Sequence, residues 1–410
     1  MTGVPGTGGP DEALEAMRAL FEPTPCAPSA FLSERHGAEI WLKREDLSPV
    51  RSYKIRGAWN AMRKRPGLGA VICASAGNHA QGVAWACRRM GVRGEIFMPV
   101  TTPAQKRMKT RQFGGDAVRI VLAGDTFDAC LAAARARQAE TGAHFLSPFD
   151  DDDVIEGQAT VALEILDQMG APDLVVLPVG GGGLAAGTAG VLAARAPEAG
   201  MRLVEPAGAA SLAAALAAGG PVDLPQMSGF VDGAAVARIG ARPFAALGGT
   251  DSAHVVAVPE DRLCATMLEM LNVEGVVLEP AGALAIDALR DLDVAGRRVV
   301  CVASGGNFDF ERLPEVRERA QRWAGTKRYY VLRLPQRPGA LRDFLEVLGP
   351  EDDIARFEYL KKSARNFGTV LIGIESASPD ALAALEERAA GSGFVLRDIT
   401  ADPVLSEFLV

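Results

Sequence analysis

An α/β architecture followed by a smaller α+β module is the fold class that this 410-residue sequence predicts. From residue 71 to about residue 307, short apolar runs alternate with helical patterns, which predicts a parallel sheet covered by helices on both faces. Small-residue motifs follow three of these runs, at the strand ends where such sheets bind ligands. Beyond residue 327 the order becomes strand, helix, strand, strand, helix, a unit of roughly 80 residues.

In chain order, the first ten residues are rich in Gly and Pro and show no positive region ahead of an apolar core, so no signal peptide is expected and the cytoplasm is the default location. Ser52-Tyr53-Lys54-Ile55-Arg56-Gly57-Ala58 sets a lysine at the start of a helical stretch. Apolar runs at 70–74, 95–100, 118–122, 173–179, 201–204 and 298–302 are the expected strands. A helix is expected from His79 to Met90, ended by Gly91, and another in the alanine-rich segment 207–218. Residues 174–194 carry no charge, yet Pro178 and four consecutive glycines would break a membrane helix, so strand, loop and helix are expected instead. The charged segment 311–328 predicts a helix leading out of the sheet region. After it come expected strands at 329–334, 354–360 and 368–374, helices at 339–348 and 379–390, and a further strand at 394–398.

Composition narrows the function classes. An apolar share of 48% with 23% charged residues is that of a globular protein with a sizeable core. The formal charge of -8, without a basic stripe or arginine-rich run, argues against nucleic acid as a partner. Six scattered cysteines with no CxxC and no nearby histidine cluster suggest neither zinc nor a disulfide framework.

Four ordered motifs carry the chemistry. Lys54 could form a Schiff base with an aldehyde cofactor, although a lysine at a helix start is by itself an ordinary solvated charge. Ser75-Ala76-Gly77-Asn78-His79 lies between an apolar strand and a helix, placing backbone amides at a positive helix terminus suited to a carboxylate, with Asn78 free for a phenolic oxygen. A plain helix cap by Ser75 or Asn78 is the alternative. Gly180-Gly181-Gly182-Gly183-Leu184 follows a strand and opens a helix, so that backbone amides can converge on a phosphate that any Cβ would hold off. A dinucleotide site would match this run loosely, with Glu205 as its ribose partner. Ser304-Gly305-Gly306-Asn307 ends the last apolar run and offers a hydroxyl to a pyridine nitrogen, or else is a strand end with a tight turn.

Together with Leu42-Lys43-Arg44-Glu45-Asp46, Ser228-Gly229-Phe230, Asp232-Gly233 and Glu279-Pro280-Ala281-Gly282-Ala283, these motifs resemble the fold-type II pyridoxal phosphate enzymes, the tryptophan synthase β-like group, and within it the biosynthetic threonine dehydratases. The resemblance implies a catalytic region of two α/β subdomains over residues 1–325, the smaller nested at about 50–150, and an ACT-like regulatory domain over 326–410. It implies that Lys54 carries pyridoxal 5'-phosphate and acts as the base, and that Asn78 meets the ring oxygen. Residues 180–184 would bind phosphate, Ser304 would meet the ring nitrogen, and Ser75, Ala76, Gly77, Asn78 and His79 would bind the substrate. The implied reaction is β-elimination from L-threonine, or L-serine, giving the oxo acid and ammonia.

Departures from the family pattern sharpen this. Tyr53 stands where many relatives carry Phe. Serine racemase-like relatives use a second serine as a base where this chain has Ala76, which disfavours racemisation. Their divalent metal segment ends in a carboxylate, whereas Glu205-Pro206 is followed here by Ala207, Gly208 and Ala209, so no metal is expected. Glu279 would line the cofactor's far side or complement a helix dipole.

Residues 333–341 and Arg356-Phe357-Glu358-Tyr359 resemble a single ACT-like regulatory module. The resemblance implies L-isoleucine as feedback ligand, an effector site centred on Phe357 and Tyr359, and a homo-oligomer, most simply a tetramer. A catabolic serine/threonine dehydratase, a β-replacing synthase and a catalytically idle amino-acid sensor are the competing functions.

Overall fold

The computed structural model describes residues 9–360 and 366–402. Two compact units divide the chain, one ending at Asp309 and the other beginning at Phe310. No helix among the described residues is long and apolar enough to cross a membrane.

The strands of the first unit form two sheets, not the single sheet that the alternating pattern predicts. The larger has six strands in the order Cys26–Pro28, Glu39–Arg44, Arg298–Ala303, Leu174–Pro178, Gly200–Pro206 and Val255–Val258. All pair in parallel except the first, which runs antiparallel beside Glu39–Arg44. The smaller sheet is parallel throughout, in the order Val118–Leu122, Arg93–Met98, Ala70–Ala74 and His144–Phe145. The central strands Leu174–Pro178 and Ala70–Ala74 are buried nearly throughout, as expected of strands covered on both faces. Val175, Leu177, Leu203 and Val302 pack with Leu184 and Leu212 in one core; Val71, Cys73 and Ile96 pack with Val83 and Ala84 in the other. All six cysteines are unpaired thiols.

The second unit is an antiparallel sheet in the order Asp353–Leu360, Phe367–Glu375, Lys327–Pro335 and Leu396–Asp398, with helices Ala340–Leu345 and Pro379–Gly391. Tyr330, Leu332, Val370 and Ile372 alternate along the strands and meet Phe344, Leu382 and Leu385. The helix Leu313–Ala324 precedes this sheet, closed by Gly325 at φ 69°.

Candidate active site

The site forms where the four motifs meet at strand ends. Lys54 is the first residue of the helix Lys54–Arg63. Two backbone links fix its entry: Ser52 bridges to Gly305, and the Tyr53 amide donates to the Ser304 carbonyl at 3.2 Å. Arg51 lies in the left-handed region at φ 59°, the one non-glycine residue among those described to do so, and its carbonyl accepts from the Gly306 amide at 2.9 Å. Local strain of this kind is held in place by the tertiary contacts on either side of the turn. The Lys54 ammonium donates to the Pro148 carbonyl at 3.0 Å and lies 5.1 Å from the centre of the Tyr53 ring. The helix Asn78–Met90 crosses the Lys54 backbone so closely that a Cβ on Gly82 would sit 3.1 Å from the Lys54 carbonyl.

Behind Lys54 lies a buried ionic network that the sequence motifs did not announce. The Arg56 guanidinium forms a double contact with Glu45, at 2.8 Å to each oxygen, and bonds Glu164 at 2.7 and 2.8 Å. The Lys43 ammonium reaches the same Glu164 at 2.6 Å, and no side chain of these three pairs is more than 1% exposed. Burial would raise the Glu164 carboxyl, but Arg56 and Lys43 more than offset it and hold the group below the usual carboxylate range.

The Ser75–Asn78 loop leaves the end of strand Ala70–Ala74. Gly77, not Ser75 or Asn78, stands at the cap of the following helix, and no side chain bonds its first turn. Ser75 instead accepts from the Gly77 amide at 3.3 Å. Those uncapped amides are what the loop can offer a carboxylate. The His79 ring is buried and meets the Leu146 carbonyl at 3.0 Å; burial, aided by the charge of Lys54, pushes it down to about 3, so the imidazole is neutral. Asn78 is less free than its sequence suggests. Its amide donates to Glu279 at 2.5 Å and accepts from Asn307 at 2.7 Å, which leaves one N–H to meet a phenolic oxygen.

The glycine loop needs glycine for a reason that the sequence does not show. A Cβ on Gly180 would lie 2.8 Å from the Ala234 carbonyl, one on Gly182 2.8 Å from Pro243, and one on Gly181 inside the Phe149 ring. Protein atoms by themselves already forbid side chains there. Gly182 also takes φ 87° at the cap of the helix Gly183–Arg195. Among the described residues none accepts a hydrogen bond from the amides of Gly180, Gly181 or Gly182. Such orphaned donors at a helix start fit a phosphate, and Leu184 in the first turn is buried beside them. Ser304 is 2% exposed and its hydroxyl lies 3.3 Å from the Ala281 carbonyl. The Ser52 hydroxyl, fully buried, has no protein partner.

Two acidic residues are now placed. Both Glu205 oxygens accept from the helix amides of Leu212 and Ala213, at 2.7 and 2.9 Å, so this residue caps a helix rather than facing a ribose. Among the described residues no group of three or more His, Cys, Asp or Glu side chains could hold a metal ion. Burial, reinforced by the charge of Asp232, pushes Glu279 up to about 7 from its ordinary 4.5. The unfolded chain releases this proton first, so the stability contributed is greatest below pH 4.5 and falls as pH rises to about 7, by about 3 kcal/mol in all. Glu279→Gln is expected to remove that loss. Between pH 5 and pH 8 the melting temperature of cofactor-free protein should then fall less steeply in the variant than in the parent.

Known proteins resemble this chain over most of its length. Residues 17–305 match the family described as pyridoxal-phosphate dependent enzyme, and residues 318–409 match the C-terminal regulatory domain of threonine dehydratase. The biosynthetic L-threonine dehydratase IlvA of Mycobacterium tuberculosis is 47% identical over 375 residues, covering 90% of this chain and 87% of that protein. Among solved structures, the processed form of threonine deaminase isoform 2 from Solanum lycopersicum superposes with a TM-score of 0.71 at 37% identity, over 76% of this chain and 92% of that one. The threonine deaminase of T.th. gives 0.70 at 33%, over 75% and 99%. With a lysine beside the strand-end turn at Ser304, a loop of glycine amides facing no protein acceptor, and a regulatory unit following in the same chain, this protein belongs to the pyridoxal-phosphate dependent enzymes, in the family of the biosynthetic threonine dehydratases.

Proposed function

We propose that this chain converts L-threonine to 2-oxobutanoate and ammonia as the first step of isoleucine biosynthesis, in the cytoplasm, with L-serine as a second substrate. The observation that carries the reading is the succession of a pyridoxal phosphate catalytic region and a threonine dehydratase regulatory domain in one chain. The six unpaired cysteines suit a reducing compartment.

Pyridoxal phosphate supplies an electron sink that acidifies the substrate's Cα–H and eases departure of the β-hydroxyl. The remaining work falls to side chains and amides of this protein. Lys54 would hold the cofactor through its amine, and the same amine, when free, would take the Cα proton. The amides of residues 180–184 would bind the phosphate, and the remaining N–H of Asn78 would orient the ring oxygen. The Ser304 hydroxyl would meet the ring nitrogen; a hydroxyl would not hold that nitrogen protonated, which would favour prompt loss of the leaving group. The uncapped amides after Gly77, beside Ser75 and Ala76, would receive the substrate carboxylate, while neutral His79 braces the loop from the core. Release of 2-oxobutanoate from L-threonine by cofactor-loaded protein tests the reading. Absence of any oxo acid, with cofactor bound, would make the chain a sensor.

Isoleucine is the feedback ligand in this reading, and the chain is a homotetramer in which regulatory units pair across subunits. Phe357 and Tyr359, 36% and 42% exposed, lie on the sheet's edge strand Asp353–Leu360, near enough to the sheet end for the Tyr359 ring to fill the Cβ side of Gly368. Aromatic faces of this kind suit a branched aliphatic side chain. Phe357→Ala and Tyr359→Ala are each expected to raise the isoleucine concentration for half inhibition by about tenfold, the equivalent of 1.4 kcal/mol of coupling. The turnover number without isoleucine should stay as in the parent. Unchanged inhibition in both variants would place the effector elsewhere.

A further inference from the structure

We infer that Phe149 is a positioning residue for the cofactor's phosphate, its ring setting the shape of the glycine loop while the same turn receives the Lys54 amine. The inference rests on placing the phosphate at residues 180–184. Pro148 supplies the carbonyl that Lys54 bonds at 3.0 Å. The next residue, Phe149, projects its ring into the volume that a side chain on Gly181 would need. The same residue lies 3.2 Å from the Cβ position of Gly183 and 3.0 Å from that of Gly240. The ring thus fills the side-chain face of Gly181 and Gly240, while the backbone and Cβ of the same residue fill that of Gly183.

The turn that carries the ring is itself fastened at both ends. The Asp150 amide donates to the Ser147 hydroxyl at 3.0 Å, and the Arg242 amide donates to the Asp150 carboxylate at 2.8 Å. Asp151 caps the helix Asp152–Met169, accepting from the amides of Asp153 and Val154 at 2.9 and 3.1 Å. The Gly240 amide closes the arrangement by donating to the Gly181 carbonyl at 3.2 Å. A displacement of the ring therefore moves the glycine loop, whose amides have no protein acceptor to restore them. Residues 148 and 149 in this way link the two ends of the cofactor, the amine that meets its aldehyde and the loop that meets its phosphate. Aromatic rings are flat and stiff, so the linkage is geometric rather than chemical.

Equilibrium binding of pyridoxal phosphate and of pyridoxal, which lacks the phosphate, separates this role from general stability. The readout is the visible absorbance of lysine-bound cofactor, with melting curves run alongside. Phe149→Ala is expected to weaken pyridoxal phosphate roughly 10- to 100-fold, as loss of a supporting group or a misplacement of about 1 Å does. Pyridoxal should weaken by less than about threefold, and Phe149→Leu should recover most of the loss. Gly181→Ala adds a methyl group where the ring sits, so it should harm phosphate binding less in the Phe149→Ala background than alone, a non-additive pair. Equal losses for both ligands in Phe149→Ala, or additive effects in the double variant, would overturn the inference. If Gly181→Ala also treats both ligands alike, the phosphate is not on the glycine loop and the site assignment itself fails. If Gly181→Ala discriminates and Phe149→Ala does not, only the role of Phe149 fails. Should Phe149→Ala not fold, Phe149→Leu compared with Gly181→Ala decides between the same outcomes.

Discussion

Lys54→Ala is expected to lower 2-oxobutanoate formation by at least about a thousandfold, since it removes both the covalent anchor of the cofactor and the base that takes the Cα proton. The fold should survive, because the Lys54 amine makes one protein hydrogen bond, to the Pro148 carbonyl, and is only partly buried. Cofactor should still associate through the amides of residues 180–184, without the long-wavelength absorbance of the lysine-bound form. Added amines of small size should restore part of the activity if the proton transfer, rather than the anchor alone, is what was lost. Near-parental turnover with cofactor present would remove Lys54 from the catalytic role.

The motifs were legible because each sits at a strand end where local sequence and site chemistry coincide. Apolar runs at 70–74, 118–122 and 298–302 stop within a residue of the observed strand ends, and Gly91 ends its helix at φ 67° as a glycine after a periodic segment should. What the sequence did not reveal is non-local. Whether a parallel strand joins one sheet or another depends on its neighbours, so the division into two sheets has no signature in the runs themselves. Glu39–Arg44 does not read as a strand because Lys43 within it and Glu45 just beyond it are charged, and only their burial against Arg56 and Glu164 explains them. Val255–Val258, an edge strand of four residues, is too short to stand out by periodicity.

The candidate site shows the same division. Its residue types were readable, while its restraints were not. Nothing near Asn78 in sequence indicates that Glu279 and Asn307, two hundred residues away, grip its amide. Nor does a run of glycines disclose which atoms exclude the side chains. The excluding group, Phe149, lies in a segment with no motif of its own, and only the fold brings it against Gly181.

Glu164→Ala is the substitution expected to cost the most stability. Glu164 accepts from Lys43 at 2.6 Å and from Arg56 at 2.7 and 2.8 Å, and all three side chains are at most 1% exposed. With Glu45 the group is electrically balanced, two cations against two carboxylates; without Glu164 it holds an uncompensated positive charge out of reach of water. Breaking a buried pair in this way costs about 3 to 5 kcal/mol, far more than the pair's net worth when intact. Glu164→Gln keeps hydrogen-bond acceptors but not the charge, and its loss should fall between those of the parent and the alanine variant. Asp223→Ala supplies the contrast. It breaks the ion pair with Arg238 at 2.9 Å, whose side chains are 72% and 52% exposed, and water screens what is lost to less than about 1 kcal/mol. Urea unfolding of the full chain, following the midpoint of the catalytic unit, measures both. A Glu164→Ala midpoint as close to the parent's as that of Asp223→Ala would mean that water enters behind the Lys54 helix. The network would then not be the rigid backing that holds Lys54 beside the strand ends.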